Sequence, residues 1–157
     1  MRSIVAGWIL AGLTLLSGCV APRPQLAPLE IQAIQSREFE ATKPTAFASV
    51  LSVFQDLGYI VESADKDTGF ITAKSPTAGS VSILTGRTYQ SATKATAFVE
   101  ELRPGHTKVR LNFVLANQAS SRQGQISQRD EPVLDSKVYV NAFDKIEDAI
   151  FVRSASQ

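Results

Sequence analysis

The segment Lys108-Val109-Arg110-Leu111-Asn112-Phe113-Val114-Leu115 decides the fold. Val109, Leu111, Phe113 and Leu115 fall on alternate positions, which places four apolar side chains on one face of an extended strand. Immediately upstream, residues 91–102 form a second extended run. The link between the two is Arg103-Pro104-Gly105-His106, a composition suited to a tight turn. The two runs therefore form an antiparallel pair with one apolar face that must be covered by something else in the chain.

Two helical patterns supply the cover. After Thr42-Lys43-Pro44, a cap residue followed by an early-turn proline, Phe47, Val50, Leu51, Phe54 and Leu57 recur at helical spacing until Gly58. Asp135 caps a second stretch in which Val138, Tyr139, Ala142, Phe143, Ile146, Ala149 and Ile150 form one stripe, with Asp144, Lys145, Glu147 and Asp148 off it. Between the first helix and the strand pair, residues 59–63 and 70–73 read as a hairpin around the turn cluster Asp65-Lys66-Asp67-Thr68-Gly69. Residues 31–41, with Arg37 and Glu38 beside Phe39, read as a first strand. The order strand, helix, strands, helix predicts an α+β domain: an antiparallel sheet with an N-terminal and a C-terminal helix on one face.

The start of the chain is of a different kind. Met1 and Arg2 precede an apolar run from Ile4 to Leu16 that ends in Leu16-Ser17-Gly18-Cys19. The run is too short to span a bilayer stably and reads as an export signal. Cys19 is the only cysteine of the 157 residues, and it stands directly after the signal. Leu16, Ser17, Gly18 and Cys19 resemble the lipobox of bacterial lipoprotein precursors. That resemblance implies a diacylglyceryl thioether on Cys19, cleavage before it and acylation of the new amino terminus. Several acyl chains on one residue make a durable anchor where a single chain binds only marginally. Val20 follows the cysteine in place of Asp, which in lipoproteins of enteric-type bacteria favours export to the outer membrane, so the expected location is that membrane with the domain facing the periplasm.

Removal of residues 1–18 leaves 139 residues with 15 basic and 15 acidic side chains. Residues 19–28 hold three of the seven prolines and read as an extended tether. The expected organisation is a signal peptide (1–18), this tether (19–28), one α+β domain (29–153) and a short tail (154–157).

Beyond the lipobox, residues 54–61 (Phe-Gln-Asp-Leu-Gly-Tyr-Ile-Val), 67–73 (Asp-Thr-Gly-Phe-Ile-Thr-Ala) and 135–152 resemble segments of small uncharacterised proteobacterial lipoproteins. Tyr139, Phe143, Ile146, Ala149, Ile150 and Phe151 match the closing helix of that group, while Ala142 departs from its first Phe. In outline the architecture is also similar to the helix-grip domains of the lipoprotein C subunit of the β-barrel assembly machinery. These matches lie in core-packing residues and carry no chemistry.

Composition closes off several functions. One cysteine and one histidine make neither an intrachain disulfide nor a Cys/His zinc site, so no metal is expected. A formal charge of +1 on the whole chain is no footprint for nucleic acid. Asp67-Thr68-Gly69 has the tripeptide of aspartic proteases, but no second copy is present, and Asp-x-Gly between strands is what a tight turn requires. Ser63 to Lys66 and Ser91 to Lys94 both fit Ser-x-x-Lys, yet each falls at a strand rather than at a helix start. Residues 79–88 have six residues between their glycines and an Arg where a phosphate-binding loop has Lys. His106, the lone histidine, sits in a turn, and Glu100 and Glu101 face opposite sides of a strand.

Two segments remain. Residues 75–91 mix Ser, Thr, Gly and Ala with Val81, Ile83, Leu84, Arg87 and Tyr89, and read either as a binding loop or as a long connection folded over the sheet edge. Residues 117–130 are polar and read as an exposed excursion. The expected function is a lipid-anchored, non-enzymatic domain that binds an envelope protein as an assembly accessory, with no cofactor apart from the covalent lipid on Cys19. The alternative is a carrier or chaperone holding an apolar ligand between the sheet and the closing helix, near Phe113 and Phe143. A hydrolase built on Asp67 or His106 is the weakest reading.

Overall fold

The computed structural model describes residues 27–155. Cys19, the lipobox residues Leu16, Ser17 and Gly18, and most of the tether lie outside the described residues. The elements run α1 (Pro28–Gln35), β1 (Ser36–Phe39), α2 (Lys43–Asp56), β2 (Ile60–Asp65), β3 (Phe70–Lys74), β4 (Ala78–Ser82), β5 (Arg87–Arg103), β6 (His106–Ser120), β7 (Ile126–Pro132) and α3 (Ser136–Ser154). The seven strands make one antiparallel sheet in the order β1-β6-β5-β3-β2, with β4 added to β5 and β7 added to β6. The fold is α+β, as the order of patterns predicts.

The spine is the β5–β6 hairpin, which pairs from Arg103↔His106 at its turn to Thr88↔Ser120 at its open end. On the face that carries Ala95, Ala97, Val99, Val109, Leu111 and Phe113, the sheet is covered by α2 and α3. Opposite pairs combine small and large side chains, Ala95 with Phe113 and Ala97 with Leu111, while Ala73 and Ile71 continue the rows on β3. The alanines leave room for Phe54 of α2 and for Tyr139 and Phe143 of α3, all buried. Such interdigitation of unequal side chains is how a core reaches crystal-like density.

The helices begin where their caps dictate. Thr42 Oγ1 accepts the Thr45 N–H at 3.4 Å, and Asp135 Oδ1 accepts the Lys137 N–H at 3.0 Å. Of the predicted stripes, Phe47, Val50, Phe54, Tyr139, Ala142, Phe143, Ile146 and Ile150 are buried, whereas Leu51, Leu57 and Ala149 are only partly so, Val138 is exposed, and Val53, outside the predicted stripe, is buried.

Three readings of the sequence are corrected. Residues 28–35 are helical, so the first strand is only Ser36–Phe39. Pro28 at the first helical position and Glu30, whose carboxylate accepts the Ala27 N–H at 3.0 Å, start that helix. Residues 75–91 are not a loop but a second hairpin, with β4 paired from Ala78↔Ser91 to Ser82↔Arg87. Residues 117–130 are likewise no excursion: β6 runs on to Ser120 and β7 returns along it. In both cases the long central strands continue past the helices and offer unpaired backbone groups, which a polar segment satisfies as well as an apolar one.

One interruption shapes the β6 edge. β1 occupies residues 107–110 and β7 occupies residues 114–120, which leaves 111–113 without a strand partner on that side. The buried Tyr139 hydroxyl fills the gap. It accepts the Phe113 N–H at 3.4 Å and donates to the Val133 carbonyl at 2.8 Å, while Gln35 Nε2 approaches it at 3.4 Å.

Candidate functional site

Beyond the helices, β4, β5, β6 and β7 continue as a four-stranded extension. On the helix side they form a trough of about 690 Å³. Its floor is Tyr89, Ser91, Asn117 and Ala119; its walls are Ala78 and Ser80 of β4 and Ser127, Arg129 and Glu131 of β7. The lining is amide, hydroxyl and small apolar, with one aromatic ring and an Arg129–Glu131 pair at 3.7 Å. Such a surface offers hydrogen bonds and stacking.

The far end of the extension is built by two turns. Gly86, at φ +62°, and Gly124, at φ +79°, adopt the left-handed conformation that tight turns need. The turns lie against each other: a Cβ on Gly86 would stand 2.1 Å from Arg122 Nε. Here the sequence-designated residues Val81, Ile83, Leu84, Arg87 and Tyr89 fall. Tyr89 faces the trough, Val81 lies on the opposite face, and Ile83 and Leu84 occupy the turn, 91% and 98% exposed. Ile126 joins them from β7, because the outermost paired row reads Val81, Thr88, Ser120, Ile126 across the four strands. Ile126 and Arg122 are missed by sequence reasoning, since their proximity to Leu84 and Gly86 depends on the β5–β6 pairing.

The catalytic candidates do not assemble. Asp65 Oδ1 accepts the N–H groups of Asp67 at 2.9 Å and Thr68 at 3.4 Å, and Lys43 Nζ donates to the Asp67 carbonyl at 2.8 Å, so Asp67-Thr68-Gly69 closes a turn. Hydrogen bonding from the Thr68 side chain, then from the Asp67 and Thr68 backbone, holds the Asp65 carboxyl below its ordinary range. Ser91 points to the helix side of the sheet and Lys94 to the other, where Lys94 pairs with Asp130 at 3.4 Å. His106 contacts Arg103 at 3.4 Å at the hairpin turn. Glu100 stands opposite Lys108, and Glu101 Oε1 accepts the Gly105 N–H at 3.4 Å. Among the described residues no group of three or more His, Cys, Asp or Glu side chains could hold a metal ion.

Phe113 and Phe143, expected near an apolar ligand, are core residues. Phe113 packs edge-on to Tyr139 at 5.2 Å, and Phe143 lies 6.2 Å from Phe39. Phe113 nevertheless also lines what remains between α2 and α3, an open groove of about 430 Å³ that it shares with Leu57, Tyr59, Val138 and Ala142. Burial raises the pKa of the Tyr59 hydroxyl there.

No family model matches the chain, and no curated protein matches it. Among solved structures the chain is similar to a DUF4468 family protein from Bacteroides ovatus, at 12% identity and a TM-score of 0.40, over 81% of this chain and 89% of that one.

Proposed function

We propose that the chain is a membrane-anchored lipoprotein of the outer membrane whose periplasmic domain binds an envelope protein without catalysing a reaction. The observation that carries the reading is the position of Cys19, the single cysteine, directly after an apolar run ending Leu16-Ser17-Gly18. Only eight residues separate Cys19 from Pro28, a reach of at most about 30 Å. The domain is thereby held close to the anchoring surface.

The trough is the binding surface in this reading. Its two edges differ: β7 carries Arg129, Asp130, Glu131 and Pro132, the charges and proline that discourage strand addition. β4, Ala-Gly-Ser-Val-Ser, carries none of these. An extended segment of the partner adds to the β4 edge and lays alternate side chains into the trough beside Tyr89.

Two measurements test this. Metabolic palmitate labelling is expected to vanish in Cys19→Ala, and labelling that persists overturns the anchor. A photoreactive residue at Ser80 or Tyr89 is expected to trap one defined envelope protein in intact cells, whereas one at Asp148 on α3 does not. Failure of both trough positions to trap a protein overturns the binding reading. The apolar-carrier alternative draws support from the groove at Leu57, Tyr59 and Val138, and native mass spectrometry of the domain decides it by the presence or absence of a retained lipid.

A further inference from the structure

The end of the four-stranded extension differs in composition from the rest of the domain. Residues 75–93 and 116–128 contain Arg87 and Arg122 and no acidic residue, a local charge of +2 that leaves the rest of residues 19–157 at −2. Ile83 and Leu84 stand almost wholly in solvent at the outermost turn, and Val81 and Ile126 flank them at 65% and 67% exposure. Water solvates hydroxyls and amides well, and the rest of this end is rich in Ser, Thr and Gln. Four branched apolar side chains at a protruding tip are therefore a feature without an intramolecular use.

The arrangement of the side chains selects the occupant. The tip is made of two adjoining turns, with Ile83 and Leu84 outermost and almost wholly exposed; Arg87 lines a depression beside Ile126, and Arg122 lies against Gly86. That is the arrangement of an interfacial membrane contact, in which the apolar side chains enter the acyl boundary and the cations meet anionic headgroups. We infer that the β4–β5 and β6–β7 turns form a membrane-contact tip that inserts Ile83 and Leu84 into a phospholipid surface bearing anionic headgroups.

The tip acts as a second membrane contact, distinct from the anchor. Leu29 at the start of α1 lines the same depression as Lys108, whereas the tip lies past Ser120, about 40 Å farther along β6 at 3.3 Å per residue. The start of α1 and the tip are thus at opposite ends of the long hairpin. This role rests on the anchored-lipoprotein reading for its cellular meaning, but the contact itself does not need the lipid.

The test uses the mature chain with Cys19→Ser, which carries no acyl group. Trp8, the only tryptophan, lies in the signal segment, so Leu84→Trp introduces a unique fluorophore at an exposed site. Its emission is expected to shift to the blue on vesicles of phosphatidylglycerol and phosphatidylethanolamine and to be quenched by brominated acyl chains. Phe151→Trp on α3 is expected to do neither. In sedimentation with the same vesicles, Leu84→Asp and the pair Arg87→Gln/Arg122→Gln are each expected to weaken binding at least tenfold. An unshifted emission from the Leu84→Trp chain, binding unaffected by Leu84→Asp, or a blue shift that tracks protein concentration without vesicles overturns the tip; the last result assigns it to a second copy of the chain. Because palmitate labelling at Cys19 is read separately, failure of the tip and failure of the anchor are distinguishable.

Discussion

Removing one oxygen atom from Tyr139 tests the account of the interrupted β6 edge. In Tyr139→Phe the ring keeps its edge-on contact with Phe113 at 5.2 Å, so packing is preserved and the effect is confined to hydrogen bonding. The hydroxyl donates to the Val133 carbonyl at 2.8 Å and accepts the Phe113 N–H at 3.4 Å. The Val133 N–H keeps its own bond to the Phe113 carbonyl at 2.9 Å, and Gln35 Nε2, which loses the hydroxyl at 3.4 Å, keeps Asn112 Oδ1 at 3.5 Å. A buried donor or acceptor left unpaired costs about 1–3 kcal/mol. The short bond to Val133 is the stronger of the two and the 3.4 Å bond to Phe113 the weaker, which gives a loss of about 2–3 kcal/mol in all. Urea titration of residues 19–157 with Cys19→Ser measures it. With a slope of about 1.5 kcal/mol/M for a domain of this size, the midpoint falls by about 1.3–2 M at unchanged slope. Amide exchange at Phe113 rises selectively. A loss below about 0.5 kcal/mol, or unchanged exchange at Phe113, refutes the idea that the hydroxyl completes this edge.

Gly69 sits at φ +84° with a would-be Cβ 2.2 Å from the Val99 carbonyl oxygen, so Gly69→Ala is expected to cost about 3 kcal/mol or more by thermal denaturation. Gly105→Ala, at φ +77° with open space around it, costs only about 1 kcal/mol. Arg37 joins β1 to α3 through Asp144 at 2.7 Å and the Phe143 ring at 5.1 Å; Arg37→Ala is expected to lose about 1 kcal/mol in urea titration, and the loss shrinks at high salt. The Tyr59 hydroxyl has its pKa raised by burial in the folded state. Its contribution is therefore complete below the unfolded value near 10 and is lost as pH rises through the folded value. Tyr59→Phe should flatten the alkaline fall in stability. The Asp65 carboxyl is shifted the other way: its contribution is present above the unfolded value and is lost as pH falls through the folded one, so Asp65→Asn should flatten the acid limb.

The elements legible in the sequence are those with one buried face. Alternation at Val109, Leu111 and Phe113 and the stripe from Tyr139 to Ile150 mark both the element and the side it buries, because an apolar side chain every second or every third to fourth residue has one stable placement. Thr42, Asp135 and Gly69 are readable for local reasons, since caps and positive φ depend on near neighbours. The first helix is hard to read because it buries none of its residues fully; its only marks are Pro28 and Glu30. In β4 and β7 both faces remain largely exposed, so no periodicity arises.

By itself the sequence determined the two-helix cover, the central hairpin and the closing turn at Asp65, each through interactions within a few residues or one apolar face. Only the tertiary structure decided that residues 75–91 and 117–130 are strands, that Arg122 and Ile126 join Ile83 and Leu84 at one tip, and that Tyr139 bridges the gap between β1 and β7. Those outcomes follow from backbone groups of β5 and β6 that extend beyond the helices and must find partners from elsewhere in the chain. A backbone hydrogen bond is blind to side-chain identity, so it leaves no trace in the order of the residues that supply it.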